Sequence, residues 1–475
     1  MGLIYCLVAV AFSADPLLDA EVRGLRHVEP AAAADAGKVV IRGGTVMTAT
    51  GDVFVPGYVV LDHGKIAAVG SGEPPTTDGT VVDAVGRFVT PGVIDTHSHL
   101  GVYASPDARA HDDGNEMTDP VTPGVWAEHS IDPQDPGFQR AIAGGITSLQ
   151  ILPGSGNLIG GRGVIVHVVP ARGGRGMRLE GAPETLKMAC GENPKRVYGD
   201  QHRAPSTRMG NLRGQREAFL AAQQYRQTWA EFARKKVAFD EKTAAWDAWK
   251  ATGKKKGEPE KPGDPPLEPA RDLDMETLVG VLEGRILPEV HCYTASDMLS
   301  MLQVADEFGF RVRSFHHALE AYKIRDVLAS KEVAVSTWAD WWGFKVEAFD
   351  GIPENLALVT EAGARAVVHS DSPIGIQRLN QEAGKALAAG RAAGIKLSDD
   401  DAIKWLTANP AWAIGVQDQV GSLEVGKRAD VVVWSASPFS VYAKADLVYV
   451  DGLLRWDDAR PSVWSDLELG KEVTR

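Results

Sequence analysis

Between Lys38 and Thr90 the chain alternates apolar and polar positions in short bursts, VVIRGG, YVVLDHGKIAAVG and TVVDAVGRFVT, separated by Gly and Asp. A period of two interrupted by turn residues is the pattern of strands and tight turns, because successive side chains on a strand face opposite sides. The same pattern returns in GSLEVGKRADVVVWSA and LVYVDGLLRW, from Gly421 to about Trp456. Two strand-rich pieces at opposite ends of a long middle predict one small β-sandwich assembled from residues 38–90 and 418–465.

Residues 91–417 keep a different rhythm, in which a short apolar run is followed by a longer segment with helical spacing. This is the signature of βαβ units and a parallel sheet. Eight runs begin near Phe88–Thr96, Ile146–Leu152, Val164–Val169, Thr185–Cys190, Ile286–Tyr293, Arg311–His317, Glu332–Trp338 and Ala364–Ser370. Eight is the number that closes a barrel, so the predicted fold is α/β, a (β/α)₈ TIM barrel carrying the terminal β-sandwich. Residues 217–269 break the rhythm: they are rich in Lys, Glu, Gln and Trp and run into GEPEKPGDPPLEPA. They predict an inserted helix or helical hairpin followed by an extended Pro-rich linker.

Composition narrows the function classes. Hydrophobic residues at 44% and charged residues at 24% describe an ordinary folded globular protein. A formal charge of -13 opposes a nucleic-acid partner, which needs clustered Lys and Arg, and the one basic cluster, Lys254 to Lys256, sits in the Pro-rich linker. The opening segment, MGLIYCLVAVAFS, is apolar and ends in Ala11-Phe12-Ser13, so residues 1–14 read as a signal peptide and the protein as exported, to a periplasm. It departs from that pattern in lacking a Lys or Arg before the apolar run, and without cleavage and export the protein is cytoplasmic. No other run approaches the roughly 20 apolar residues of a membrane span. Cys190 and Cys292 lack CxxC spacing, and each reads as a small buried hydrophobe rather than a disulfide partner.

The chemistry concentrates at strand ends. Asp95-Thr96-His97-Ser98-His99 closes the first barrel run, and residues two apart on a strand share a face, so His97 and His99 present both imidazoles to one side. His291 closes ILPEVHCY, His317 closes RVRSFHH, and Asp371 follows AVVHS. A lone His at a strand end is more often structural than a ligand. Functional groups of this barrel gather at the C-terminal ends of the strands, however, so four such ends meet at one mouth. Imidazoles and a carboxylate suit Zn²⁺, with Mn²⁺ or Fe²⁺ accepted by the same set. His202, Arg203 and Arg208, in YGDQHRAPSTRMGN, are candidates for binding a substrate carboxylate, with surface placement the alternative. Trp338, Trp341 and Trp342 either pack on the barrel rim or line an apolar pocket. PGSGNLIGGRG lacks the P-loop Lys and reads as a loop shaping the mouth.

Together, VTPGVIDTHSHLG, IGGRGVIV, LKMACGENPKRVYG, His291, FHHALEAYK, VVHSDS and LTANPAWAIGVQDQVGSLEVGKRADVVVW resemble the amidohydrolase superfamily, in its imidazolonepropionase-related branch. The resemblance covers about Val39 to Trp456 and implies a metal-dependent hydrolase of C–N bonds. It implies that His97, His99 and Asp371 hold one divalent metal ion and His291 and His317 a second, with His316 an alternative to His317. A bridging anion would come from Lys187, carboxylated, or from Glu192, and a one-metal site remains open. Asp371 would be the catalytic base. Deaminases and imidazolonepropionases of the superfamily place a Glu three residues after the fifth-strand His, where this chain has Thr294. Hydrolysis of an amide, peptide or N-acyl bond therefore ranks above deamination or cyclic-amide opening, and a non-catalytic metal-binding barrel ranks below both. The expected partner is a small-molecule or peptide substrate, with homo-oligomer contacts through the Trp-rich insertion a further expectation.

Overall fold

The computed structural model describes residues 36–253 and 256–461, so the segment read as a signal peptide lies outside the described residues. Strands β1 (Val39–Met47), β2 (Val53–Asp62), β3 (Lys65–Ser71), β4 (Thr80–Asp83) and β5 (Phe88–Pro91) open the chain. The barrel strands follow as β6 (Val93–Ser98), β7 (Ile146–Ile151), β8 (Ile159–His167), β9 (Glu184–Ala189), β10 (Ile286–Cys292), β11 (Ser314–His317), β12 (Ala334–Thr337) and β13 (Ala366–Val368). Then come β14 (Val431–Trp434), β15 (Ala445–Val450) and β16 (Leu453–Asp457).

The two ends of the chain form one sheet separate from the barrel, in the order β16-β15-β14-β5-β1-β2-β3 with β4 beside β1. The seam between the ends is β14 against β5, antiparallel from Val431–Pro91 to Trp434–Phe88. Alternate residues, among them Ile41, Val59, Leu61, Val431 and Val433, bury into a core of their own, as period-two patterning dictates. The apolar run read as one barrel strand from Phe88 is split between two sheets: it leaves the terminal sheet at Pro91 and enters the barrel at Val93. Gly92 makes the crossing, with its N–H on the Asp430 carbonyl at 2.8 Å and no room for a Cβ against Thr147.

The barrel strands are ordered β13-β12-β11-β10-β9-β8-β7-β6. Trp405 and Leu406 wedge between the first and last strands, their carbonyls accepting from Val368 N at 3.0 Å and Ile94 N at 2.9 Å. At the C-terminal end Asp371 N donates to the His97 carbonyl at 2.9 Å, so the barrel is nearly closed. One strand departs from the all-parallel expectation, since β8 runs antiparallel to both β7 and β9. Residues 152–158 alone join β7 to β8. A parallel return needs a dozen or more residues, so this link admits only a hairpin-like reversal.

The insertion is a single helix, Arg208–Ala251, that begins earlier than composition indicated because Thr207 caps it, accepting from Gly210 N at 3.0 Å. Its buried residues, Asn211, Gln215, Ala218, Phe219 and Ala222, all lie in the first half, and the remainder projects from the body. No second helix completes a hairpin among the described residues there. The Pro-rich segment instead returns along the helix, with Glu260 paired to Lys242 at 2.8 Å and Asp272 N on the Tyr225 hydroxyl at 3.3 Å.

Cys190 and Cys292 correct the sequence reading: they form a disulfide. The β9–β10 register pairs Ala189 with His291, so the next residues face each other, with Cα atoms 5.3 Å apart. That separation suits a disulfide, and the sequence separation of 102 hid the neighbourhood. No helix among the described residues is long and apolar enough to cross a membrane.

Candidate active site

Every barrel strand except the reversed β8 delivers its last residues to one mouth. His97 stands on β6, His291 on β10 and His317 on β11, while His99 and Asp371 lie just past β6 and β13. Backbone strain marks two of these positions: His317 has φ 70° and Asp371 φ 48°. For residues other than Gly this region costs of order 1–3 kcal/mol, and it persists only where surrounding contacts enforce it. At Asp371 the enforcing contacts include Asp95, whose carboxylate accepts from both His97 N and Ser370 N, at 3.1 and 3.0 Å. Burial pushes the Asp95 carboxyl up to about 7, against the pull of those hydrogen bonds.

The ring nitrogens can be assigned from their partners. His99 Nδ1 lies 2.7 Å from the Leu152 carbonyl, which only accepts, so Nδ1 carries a proton and, in the neutral ring, Nε2 keeps the lone pair. That Nε2 faces Asp371 Oδ1 at 3.1 Å. Glu289 Oε2 lies 2.8 Å from His316 Nε2, and His316 Nδ1 lies 2.9 Å from His97 Nδ1. With Glu289 ionised, its carboxylate accepts from His316, His316 accepts from His97, and the lone pair of His97 Nε2 faces Lys187 Nζ at 3.2 Å and the same Asp371 oxygen at 3.6 Å. Burial pushes the Glu289 carboxyl well up, opposed by the positive charges of Arg313 and Lys187. Burial also holds His97, His291, His316 and His317 well below the usual imidazole range, so all four are neutral.

Two imidazole nitrogens therefore converge on one carboxylate oxygen, a set of lone-pair atoms that a cation would satisfy. Further unpartnered nitrogens belong to the same cluster of packed rings. Both nitrogens of His291, Nε2 of His317 and Nδ1 of His369 are buried with no hydrogen-bond partner. The His291 and His317 rings lie 4.4 Å apart, and single donor atoms from His97, His317 and His369 lie within 4.8 Å of one another, as do those of His97, His99 and Asp371. Neutral imidazole and carboxylate donors of this kind fit one or two divalent ions.

Lys187 joins the cluster: its Nζ lies 3.2 Å from His97 Nε2 and 3.1 Å from the Pro153 carbonyl, and burial pulls it down to about 8. Glu192 does not, since it opens the helix Glu192–Gly199 and faces Arg196 at 3.7 Å. His202 is exposed. Arg203 donates to the Thr118 carbonyl at 2.7 Å and pairs with Asp119, and Arg208 pairs with Asp297 at 3.6 Å, so both guanidiniums are engaged away from the His cluster. The PGSGN loop reaches the site through the Leu152 and Pro153 carbonyls, whereas IGGRG belongs to β8.

Sequence reading passed over Glu289 and His369. Each sits two residues before a residue it did select, His291 and Asp371, and the same-face argument used for His97 and His99 applies to Glu289 and His291 on β10. Trp338 Nε1 donates to the Ser370 carbonyl at 3.1 Å, and its indole stacks on His317 and His369 with centroids 4.8 and 4.6 Å away, fixing two imidazole planes at once.

A barrel with such a mouth is that of a metal-dependent hydrolase. Residues 322–454 match the family model described as Amidohydrolase family. The crystal structure of an amidohydrolase from Thermotoga maritima is similar, with a TM-score of 0.74 and 34% identity, covering 88% of this chain and 100% of that one. The amidohydrolase tasK of Hapsidospora irregularis is 32% identical over 419 residues, 85% of this chain, although the chain spans only 40% of that protein's length. An imidazolonepropionase of Fusobacterium nucleatum is 23% identical over 453 residues, covering 84% of this chain and 91% of its own. The chain belongs to the amidohydrolase family, as a metal-dependent hydrolase acting on C–N bonds.

Proposed function

We propose that the enzyme hydrolyses an open-chain amide, peptide or N-acyl C–N bond, with one or two Zn²⁺ ions held by His97, His99, His291, His317 and Asp371. The observation that carries this reading is the convergence of His97 Nε2 and His99 Nε2 on Asp371 Oδ1, at 3.6 and 3.1 Å, beside the buried, unpartnered ring nitrogens of His291, His317 and His369. A divalent cation held by these residues would supply Lewis-acid polarisation of the substrate carbonyl and would bring the pKa of a bound water to about 7. Asp371 is partly open to the cavity, takes the proton of the attacking water and hands it to the leaving nitrogen, a transfer that needs hydrogen-bond reach. Lys187 lies beside His97 whereas Glu192 turns to Arg196, which supports Lys187 as the source of a bridging carboxylate.

Thr294 supports hydrolysis over deamination. Its hydroxyl accepts from Asp297 N at 3.2 Å, capping the helix Ala295–Phe308, so position 294 supplies a neutral hydroxyl, and the Asp297 carboxylate beside it is engaged by that hydroxyl at 2.8 Å and by Arg208 at 3.6 Å. Export is supported by the Cys190–Cys292 disulfide, since such bonds persist in oxidising compartments. The test is a panel of N-acyl amino acids and dipeptides given to the purified enzyme before and after chelation. Release of an amino acid that stops on chelation and returns with Zn²⁺ is expected, with Asp371→Asn at least a thousandfold slower. Ammonia as the product contradicts the reading.

A further inference from the structure

A cavity of about 500 Å³ opens directly onto Asp371, walled by Tyr293, Trp338, Asp340, Trp341 and Phe344. Four of these five walls are aromatic, and they are ordered against one another. Trp338 and Trp341 stack with centroids 5.1 Å apart at 16°, while Phe344 meets Tyr293 nearly edge-on at 6.1 Å. Trp341 is 36% and Phe344 57% exposed, so large apolar rings are held open to solvent beside the reacting centre. Leaving such surface wet is unfavourable, and a contiguous patch of it marks a binding site.

The charges around these walls are already matched. Asp340 is paired with Lys385 at 2.8 Å. Lys345 lies over the Tyr293 ring, 3.9 Å from its centroid, and its ammonium is paired with Glu347 at 3.3 Å and Asn193 at 3.0 Å. Neither offers a free charge to a ligand, so the chamber selects for flat apolar bulk rather than for a carboxylate or an ammonium. Its volume lies within the range of small-molecule pockets and accommodates a phenyl or indole ring. Stacking on the Trp338–Trp341 pair with an edge towards Phe344 is the geometry aromatic rings favour.

We infer that the substrate carries an uncharged aromatic group next to the scissile C–N bond and that Trp341 and Phe344, with Trp338 and Tyr293, select it. This rests on the amide-hydrolase reading of the same site. The test joins a binding readout to a turnover readout on the full chain. Calorimetric titration compares 3-phenylpropanamide with propanamide and with succinamic acid, and hydrolysis compares N-acetyl-L-phenylalanine with N-acetyl-L-alanine. Wild type, Trp341→Ala and Phe344→Ala are used, both positions being exposed enough to leave folding intact. The expected result is at least tenfold tighter binding of the phenyl amide than of either other ligand. Either variant should cut that advantage at least threefold, and the phenylalanine-to-alanine ratio of kcat/KM should fall with it. Equal binding of the three amides, or an advantage that survives both variants, overturns the inference. Turnover of both acetyl amino acids without aromatic preference overturns it while leaving the proposed function standing. Phenyl-dependent binding that both variants weaken, with no amide cleaved, supports the pocket and overturns the proposed function instead.

Discussion

Replacing His316 with Phe separates the groups that hold a metal ion from those that orient them. His316 is fully buried, 2.9 Å from His97 Nδ1 on one side and 2.8 Å from Glu289 on the other. If it serves as an orienting partner, His316→Phe leaves His97 Nδ1–H buried without an acceptor, at about 1–3 kcal/mol. At 1.4 kcal/mol per factor of ten, that is roughly 5- to 150-fold. Loss of hydrogen-bond partners behind metal ligands costs about 10–100-fold in affinity, which falls inside that window. Competition against a chromophoric chelator, with Zn²⁺ as titrant, measures the constant directly. Thermal unfolding of the metal-free protein checks that the variant folds. Glu289→Gln keeps an acceptor for His316 and should lose less than His316→Phe. Unchanged Zn²⁺ affinity in His316→Phe refutes the relay, and complete loss of stoichiometric binding makes His316 a ligand in place of His317.

Three further expectations test the scaffold. Burial pushes the Asp430 carboxyl up to about 7, reinforced by Asp451, so the folded state keeps a proton that the unfolded chain gives up near the ordinary value of 3.8. The stability this contributes is complete below about pH 4 and is lost as pH rises through 7; the denaturation midpoint of wild type should therefore fall relative to Asp430→Asn across that interval, and parallel profiles contradict the assignment. Trp405 is fully buried, with Nε1 on the Thr360 hydroxyl at 2.8 Å, where the barrel ends meet, so Trp405→Ala should lower stability by about 3–5 kcal/mol in chemical denaturation. Peptide mapping without reductant should recover Cys190 joined to Cys292, and two free thiols there would exclude the bond.

What the sequence made legible follows from the range of each signal. Period-two bursts at both ends announced the terminal sheet because each burst reports its own burial. Spacing within one strand brought His97 and His99 to one face, and strand ends gathered His291, His317 and Asp371. The relay through Glu289 and His316 crosses from β10 to β11 and on to β6, a relation between strands that intrastrand spacing does not encode. The disulfide hid for the same reason, since Cys190 and Cys292 meet only through the β9–β10 register. The reversal of β8 was carried by the short link of residues 152–158, whose length mattered more than the apolar pattern of the strand. Glu192 was a fair candidate by motif position, but opening the helix Glu192–Gly199 turns it towards Arg196.

A divalent cation is expected where the ring nitrogens of His97 and His99 converge on the Asp371 carboxylate. Elemental analysis by plasma mass spectrometry, run on purified wild type and on a His97→Ala, His99→Ala double variant, tests it most directly. One or two equivalents of divalent metal per chain in wild type, with less than a tenth of that in the variant, is the predicted result. A wild-type protein that cleaves amides at full rate with no stoichiometric metal contradicts the account.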